Sequence, residues 1–170
     1  MSKFLGTAIA ASLALLAPLG SAQAATLGPD AGVCNGGRGP AVLVRVDGFK
    51  ARTGEVRVQI YGGNPRDFLA KGKWLKRVDL PVTASGPMDV CVALPGAGDY
   101  AVAVRHNLDG RGKSNWNDGG GFSRNPNISL TNLKPDYDEV SINVGNGIKP
   151  LGVLLNYRRG LSIGPVRSAG

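Results

Sequence analysis

Apolar residues recur at every second position along most of this chain. Val42, Val44 and Val46 alternate with Leu43, Arg45 and Asp47; Val56, Val58 and Ile60 alternate with Glu55, Arg57 and Gln59. A period of two places alternate side chains on opposite faces of an extended strand, so each run predicts a strand with one face buried. The same spacing runs through Val78, Leu80 and Val82, in a strand expected from Trp74 to Val82 with Trp74 as a sheet residue on the Val78 side. It continues through Met88, Val90, Val92 and Leu94, and then through Tyr100, Val102 and Val104. Asp138 to Val144 predicts a sixth strand, and Leu151, Val153, Leu155 and Tyr157 a seventh. Gly48 to Gly54 has the length of a hairpin connection. The helical signal is brief: Asn64 as N-cap, Pro65 at the first position, one or two turns to Lys71, and Gly72 as the stop. Seven short strands with turns rich in Gly and Pro predict an all-β fold, an antiparallel β-sandwich with one short helix.

The ends do not follow this pattern. Met1-Ser2-Lys3 is a short positive start, Phe4 to Leu19 is almost wholly apolar or small, and Ala22-Gln23-Ala24 has the form of a cleavage site. Residues 1–24 therefore read as a secretory signal peptide, with a mature chain from Ala25 in the periplasm or outside the cell. Pro18 and Gly20 interrupt the apolar run, which is short for a membrane span, so no integral membrane segment is expected after cleavage. Residues 25–39 read as an irregular N-terminal arm, 40–158 as the sandwich, and 159–170 as a flexible tail.

Export changes the meaning of the two cysteines. In an oxidising compartment a Cys34–Cys91 disulfide is the default, and two lone cysteines are too few for a structural zinc site. Cys91 has the parity of Asp89 and Ala93, opposite to Val90 and Val92, so the bridge is expected to pin the arm across the outer face of a sheet. The formal net charge is +8, and losing Lys3 with the leader leaves about +7. That charge suits an anionic envelope component or glycan. The basic residues are scattered, with the densest group at Lys71, Lys73, Lys76 and Arg77, so a nucleic-acid partner is not expected.

Leu94 to Lys113 reads as a tight turn, a half-buried strand and a polar glycine-rich loop. With the hairpin from Val44 to Tyr61 and the pair Phe68-Leu69, it carries a resemblance. The motifs are Leu94-Pro95…Gly98-Asp99-Tyr100-Ala101-Val102, then His106-Asn107-x-Asp109-Gly110-x-Gly112-Lys113, Gly121-Phe122-Ser123-Arg124-Asn125 and Pro135-Asp136-Tyr137-Asp138-Glu139. Over roughly residues 40–157 the chain resembles a bacterial family of exported proteins known as domain of unknown function twenty-one forty-one. The resemblance implies export, a single sandwich domain and no known reaction; with the seven strands read above, the expected fold is an immunoglobulin-like or transthyretin-like sandwich. Asn107 stands where that family commonly has Asp.

The loop from Asn107 to Pro126 is the candidate contact surface. His106 is the only histidine. As a base it would need a carboxylate or nucleophile in reach, Asp109 or Asp118, and that arrangement would make a hydrolase. No nucleophile elbow or phosphate-binding loop accompanies it. Asn107, Asp109, Asn115, Asn117 and Asp118 offer oxygen atoms to calcium. In an EF-hand register, however, Arg105 would take the first position and Trp116 the twelfth. Arg111 and Lys113 also oppose a cation, so no metal and no cofactor are expected. Trp116 between two asparagines suits sugar or peptide recognition, through ring stacking and directional amide bonds. The expected function is an exported, non-enzymatic binding or envelope-accessory module, with the hydrolase and a calcium-binding structural domain as alternatives.

Overall fold

A computed structural model describes residues 25–166. The expected signal peptide at 1–24 and the last four residues lie outside the described residues. In chain order the elements are β1 (Thr26–Leu27), α1 (Ala31–Asn35), β2 (Ala41–Asp47), β3 (Glu55–Tyr61), a 3-10 turn (Pro65–Asp67), β4 (Lys76–Pro81) and β5 (Met88–Ala93). They continue with β6 (Gly98–Asn107), β7 (Gly119–Phe122), α2 (Tyr137–Val140), β8 (Ser141–Val144), β9 (Ile148–Leu154), β10 (Asn156–Arg159) and β11 (Ser162–Pro165). They form two sheets: β1-β5-β2-β9, and β11-β10-β7-β6-β3-β4 with β8 paired to β6. The alternating valines meet between the sheets. Val42, Val44, Val46, Val56, Val58, Val90, Val92, Val102 and Val104 belong to one buried core, so this is an all-β sandwich.

Among the described residues eleven strands replace the seven expected, for identifiable reasons. The run from Leu151 to Tyr157 divides at Leu155, whose N–H donates to the Asp47 carbonyl (2.9 Å). β9 lies in one sheet and β10 in the other, and Val153, Leu155 and Tyr157 stay inward on both sides of the corner. β9 runs parallel to β2, and β1 runs parallel to β5, so the sheets are mostly rather than wholly antiparallel. Pro150 is tolerated in β9 because that strand is a sheet edge, where no partner needs its missing N–H. The Asn125 side chain covers part of the same edge, bonding Leu154 N–H (2.8 Å) and the Gly152 carbonyl (3.0 Å).

The arm is not irregular. β1 adds to the β5 edge, α1 follows, and the Asp30 carboxylate accepts from Ala93 N–H (2.9 Å). Cys34 and Cys91 are disulfide-bonded across 57 residues. Cys91 is fully buried yet lies on the face opposite Val90 and Val92, so the bridge fastens α1 to the outer surface of β5. The expected tail also contains structure: β11 folds back on β10 after Gly160, whose φ of 61° suits the turn. A strand of two or four residues carries too little periodicity to be read from sequence.

Three further differences concern the outer face of the larger sheet. Asp138 to Val140 belongs to a helical turn, opened by a capping box between Asp136 and Glu139, and only Ser141–Val144 is strand. Asn64 caps as expected through its bond from Arg66 N–H (3.2 Å), but the helical segment is the 3-10 turn alone. Trp74 precedes β4 and packs with an outer cluster, not with Val78 in the main core. In that cluster Phe68 meets Tyr61, Phe122 and Tyr137 edge-on, at ring separations of 5.4–6.1 Å.

Candidate functional site

His106 lies inside the sandwich. It ends the inward series Tyr100, Val102 and Val104 on β6 and has no exposed surface. Its Nε2–H donates to the Thr53 carbonyl (2.7 Å), and its Nδ1 accepts from the Tyr157 hydroxyl (2.6 Å). That hydroxyl in turn accepts from Lys50 N–H (3.3 Å). Phe49 covers the imidazole edge-on at 5.4 Å. Burial lowers the His106 pKa below its ordinary value, against the opposing pull of the Thr53 bond. Burial also pushes the Tyr157 hydroxyl up to about 12, so it stays a donor. Both imidazole nitrogens are occupied, and no carboxylate is bonded to either. The arrangement considered for the hydrolase alternative, His106 against Asp109 or Asp118, is not formed at these nitrogens. His106 instead clasps the β2–β3 connection over the end of the sandwich.

Asp118 organises the loop above. Its carboxylate accepts from Leu108 N–H (3.2 Å), Asn115 N–H (3.0 Å) and the Asn107 amide (3.4 Å). The Asn107 amide also reaches the Lys113 carbonyl (2.9 Å). Asp109 accepts from Arg111 N–H, and Asn115 from Asn117 N–H, each bond closing a local turn. Of the oxygens considered for calcium, those of Asp109, Asn115 and Asp118 are thus directed at the loop's own N–H groups, while Asn107 Oδ1 is buried without a partner. Among the described residues no group of three or more His, Cys, Asp or Glu side chains is placed to hold a metal ion.

Beside this loop a groove of about 490 Å³ crosses the outer face of the larger sheet. Its floor comes from β3, β6, β7 and β10 at Gln59, Ala103, Arg105, Gly120 and Asn156. Trp116, Asn115 and Asp118 line it from one loop, and Ile128 and Leu133 from the segment after β7. Leu69, Phe122 and Ile163 add apolar wall. The Trp116 ring is 68 % exposed, and the Arg158 guanidinium lies 4.8 Å from its centre. Of the residues expected to form the contact surface, Asn115, Trp116 and Asp118 line this groove. His106 and Asn107 are buried beneath the loop, and Asp109 and Asn117 are exposed elsewhere on it.

The three glycines of β7 have different reasons. A Cβ on Gly119 would overlap the Tyr157 ring, and one on Gly121 would lie 2.6 Å from the Leu154 carbonyl oxygen. Core packing therefore requires both. Gly120 faces the other way, and a Cβ there would meet only the Val104 oxygen at 3.9 Å. Packing does not require a glycine at Gly120; the missing Cβ leaves the groove floor open.

Charge at the groove is unequally partnered. Asp79 bonds both Arg57 (2.6 Å) and Arg77 (2.7 Å). Burial works against the charge on Asp79, but the two guanidinium groups outweigh it and hold the carboxyl below its ordinary range. Arg105 stands directly across from Arg57 in the sheet register. It donates to the Gly112 carbonyl (2.7 Å), and its buried Nε has no partner. Burial first, then Arg57, lowers the pKa of its guanidinium, which remains charged.

These elements were hidden from sequence reading for one reason. Arg57, Arg105, Gly120 and Asn156 are far apart along the chain and adjacent only across β3, β6, β7 and β10. The one local signal was the run Gly119-Gly120-Gly121-Phe122, whose alternation is invisible without side chains.

Sequence comparison places this arrangement in a family. Residues 44–150 match DUF2141, described as an uncharacterized protein conserved in bacteria, and the chain belongs to that family. The matched span runs from β2 to β9 and includes the whole His106–Asp118 loop and the groove floor, except for Asn156. No curated protein and no solved structure matches the chain.

Proposed function

We propose that this protein is an exported, non-enzymatic binding or envelope-accessory module that holds its ligand in the groove beside Trp116. The observation that carries this reading is Trp116 itself. A large ring kept 68 % exposed at the rim of an apolar groove, covered there only by Arg158, gains little from folding and is placed to gain from a ligand. The groove volume of about 490 Å³ lies within the range of roughly 300–1,000 Å³ typical of small-molecule sites. The leader-like residues 1–24 and the Cys34–Cys91 disulfide support an oxidising, extracytoplasmic location. No helix among the described residues is long and apolar enough to cross a membrane.

The test is a thermal-shift and tryptophan-fluorescence screen over peptidoglycan fragments, anionic glycans and small amphiphiles. At least one class is expected to raise the melting temperature and change the fluorescence, with both effects lost in Trp116→Ala. A response that survives Trp116→Ala would place binding elsewhere; no response to any class would end the reading. Export is checked separately by N-terminal sequencing of protein from the periplasm, which is expected to begin at Ala25.

A further inference from the structure

We propose that the occupant of the groove is a small anionic amphiphile, an apolar body with one terminal carboxylate that pairs with Arg105. This inference rests on the groove being the binding site. Its basis is the mismatch between the groove's walls and its charges. Leu69, Phe122, Ile128, Leu133 and Ile163 supply apolar surface, and the neutral polar groups on the floor are few, chiefly Gln59 and Asn156. A sugar polymer would bury hydroxyls against these walls with too few partners. An alkyl or aryl body would not.

The charge is the second half of the argument. Arg57, Arg77, Arg105 and Arg158 lie on or around this face, against Glu55, Asp79 and Asp118. Asp79 is taken by Arg57 and Arg77, and Asp118 by three loop donors. Arg105 has no carboxylate within salt-bridge distance, Asp118 and Asp79 favouring its charge only from further off, although it faces Arg57 and is half-buried. A guanidinium with no carboxylate bonded to it, beside a floor left bare at Gly120, is matched by a carboxylate. Arg158 stacked on Trp116 adds positive charge at the rim. The small volume favours a free molecule over a membrane surface.

The probes are decanoate, 1-decanol and polygalacturonate, titrated against the full mature protein by calorimetry and by tryptophan fluorescence. Decanoate is expected to bind about tenfold or more tighter than decanol, as for a charge-assisted hydrogen bond. Arg105→Gln should erase that difference. Arg158→Gln, at an exposed position, should narrow it without touching the interior, which guards against a folding defect in the first variant. Gly120→Val should weaken decanoate and decanol alike by filling the floor. Equal binding of decanoate and decanol, or decanoate binding indifferent to both arginine variants, would overturn the anionic claim and leave the groove as a binding site. Preference for polygalacturonate would overturn the apolar claim in the same way. Probes that bind but ignore Gly120→Val and Trp116→Ala would overturn the groove itself.

Discussion

Replacing Tyr157 by Phe removes one oxygen from the interior and leaves two groups without partners. Nδ1 of His106 loses its donor and Lys50 N–H loses its acceptor. His106 is completely buried, so no water replaces the hydroxyl. An unsatisfied buried polar group costs about 1–3 kcal/mol, and the Lys50 amide, only partly buried, adds little to that. At this chain size the melting temperature should fall by roughly 2–12 °C. The second signature is in pH. His106 has a folded pKa below its unfolded value, so between the two the unfolded chain binds a proton that the folded chain does not. Stability is then full above about pH 6.5 and falls as pH drops toward the folded pKa, by up to about 1.4 kcal/mol per pH unit. Losing the Tyr157 donor removes a bond to the neutral imidazole, so Tyr157→Phe should raise the His106 pKa and flatten that dependence. Because His106 is the only histidine, its ring protons give an unambiguous NMR titration. A wild-type pKa at or above 6.5, or a Tyr157→Phe variant as stable as wild type, would refute the account of His106 as a buried neutral clasp.

Cys34→Ser is expected to leave the sandwich folded while α1 becomes sensitive to proteolysis; the closed loop limits the loss to about 4 kcal/mol, and limited digestion with mass spectrometry reads the outcome. Gly119→Ala should destabilise by about 1–3 kcal/mol in chemical denaturation, because its methyl would meet the Tyr157 ring. Gly120→Ala, one residue along, should be nearly neutral in the same assay. Millimolar calcium should leave the melting temperature unchanged, since the Asp118 oxygens are directed at N–H donors; a rise abolished by Asp109→Ala would contradict the loop's description.

Alternation alone was enough to locate most of the strands, because burial on one face imposes a period of two on any half-buried strand. It also fixed the side from which Cys91 projects, and the inward direction of His106, by parity along β5 and β6. Parity says which face a residue takes and not what it meets there. The imidazole was therefore open to a catalytic reading until Tyr157 and Thr53, roughly fifty residues away in either direction, were found on its two nitrogens.

Composition and local spacing determined the all-β class, the disulfide partners and the turn-forming character of the loop, since each depends on near neighbours or on compartment. The tertiary structure decided the rest. It divided one apolar run between two sheets at Leu155, built β1 and β11 from segments too short to carry a period, and set β9 parallel to β2. It also brought Arg105, Gly120 and Asn156 into one row under Trp116. Strand order is set by which edges and faces can be buried together, a property of the whole chain. The groove is a product of that order, so no single stretch of the sequence announces it.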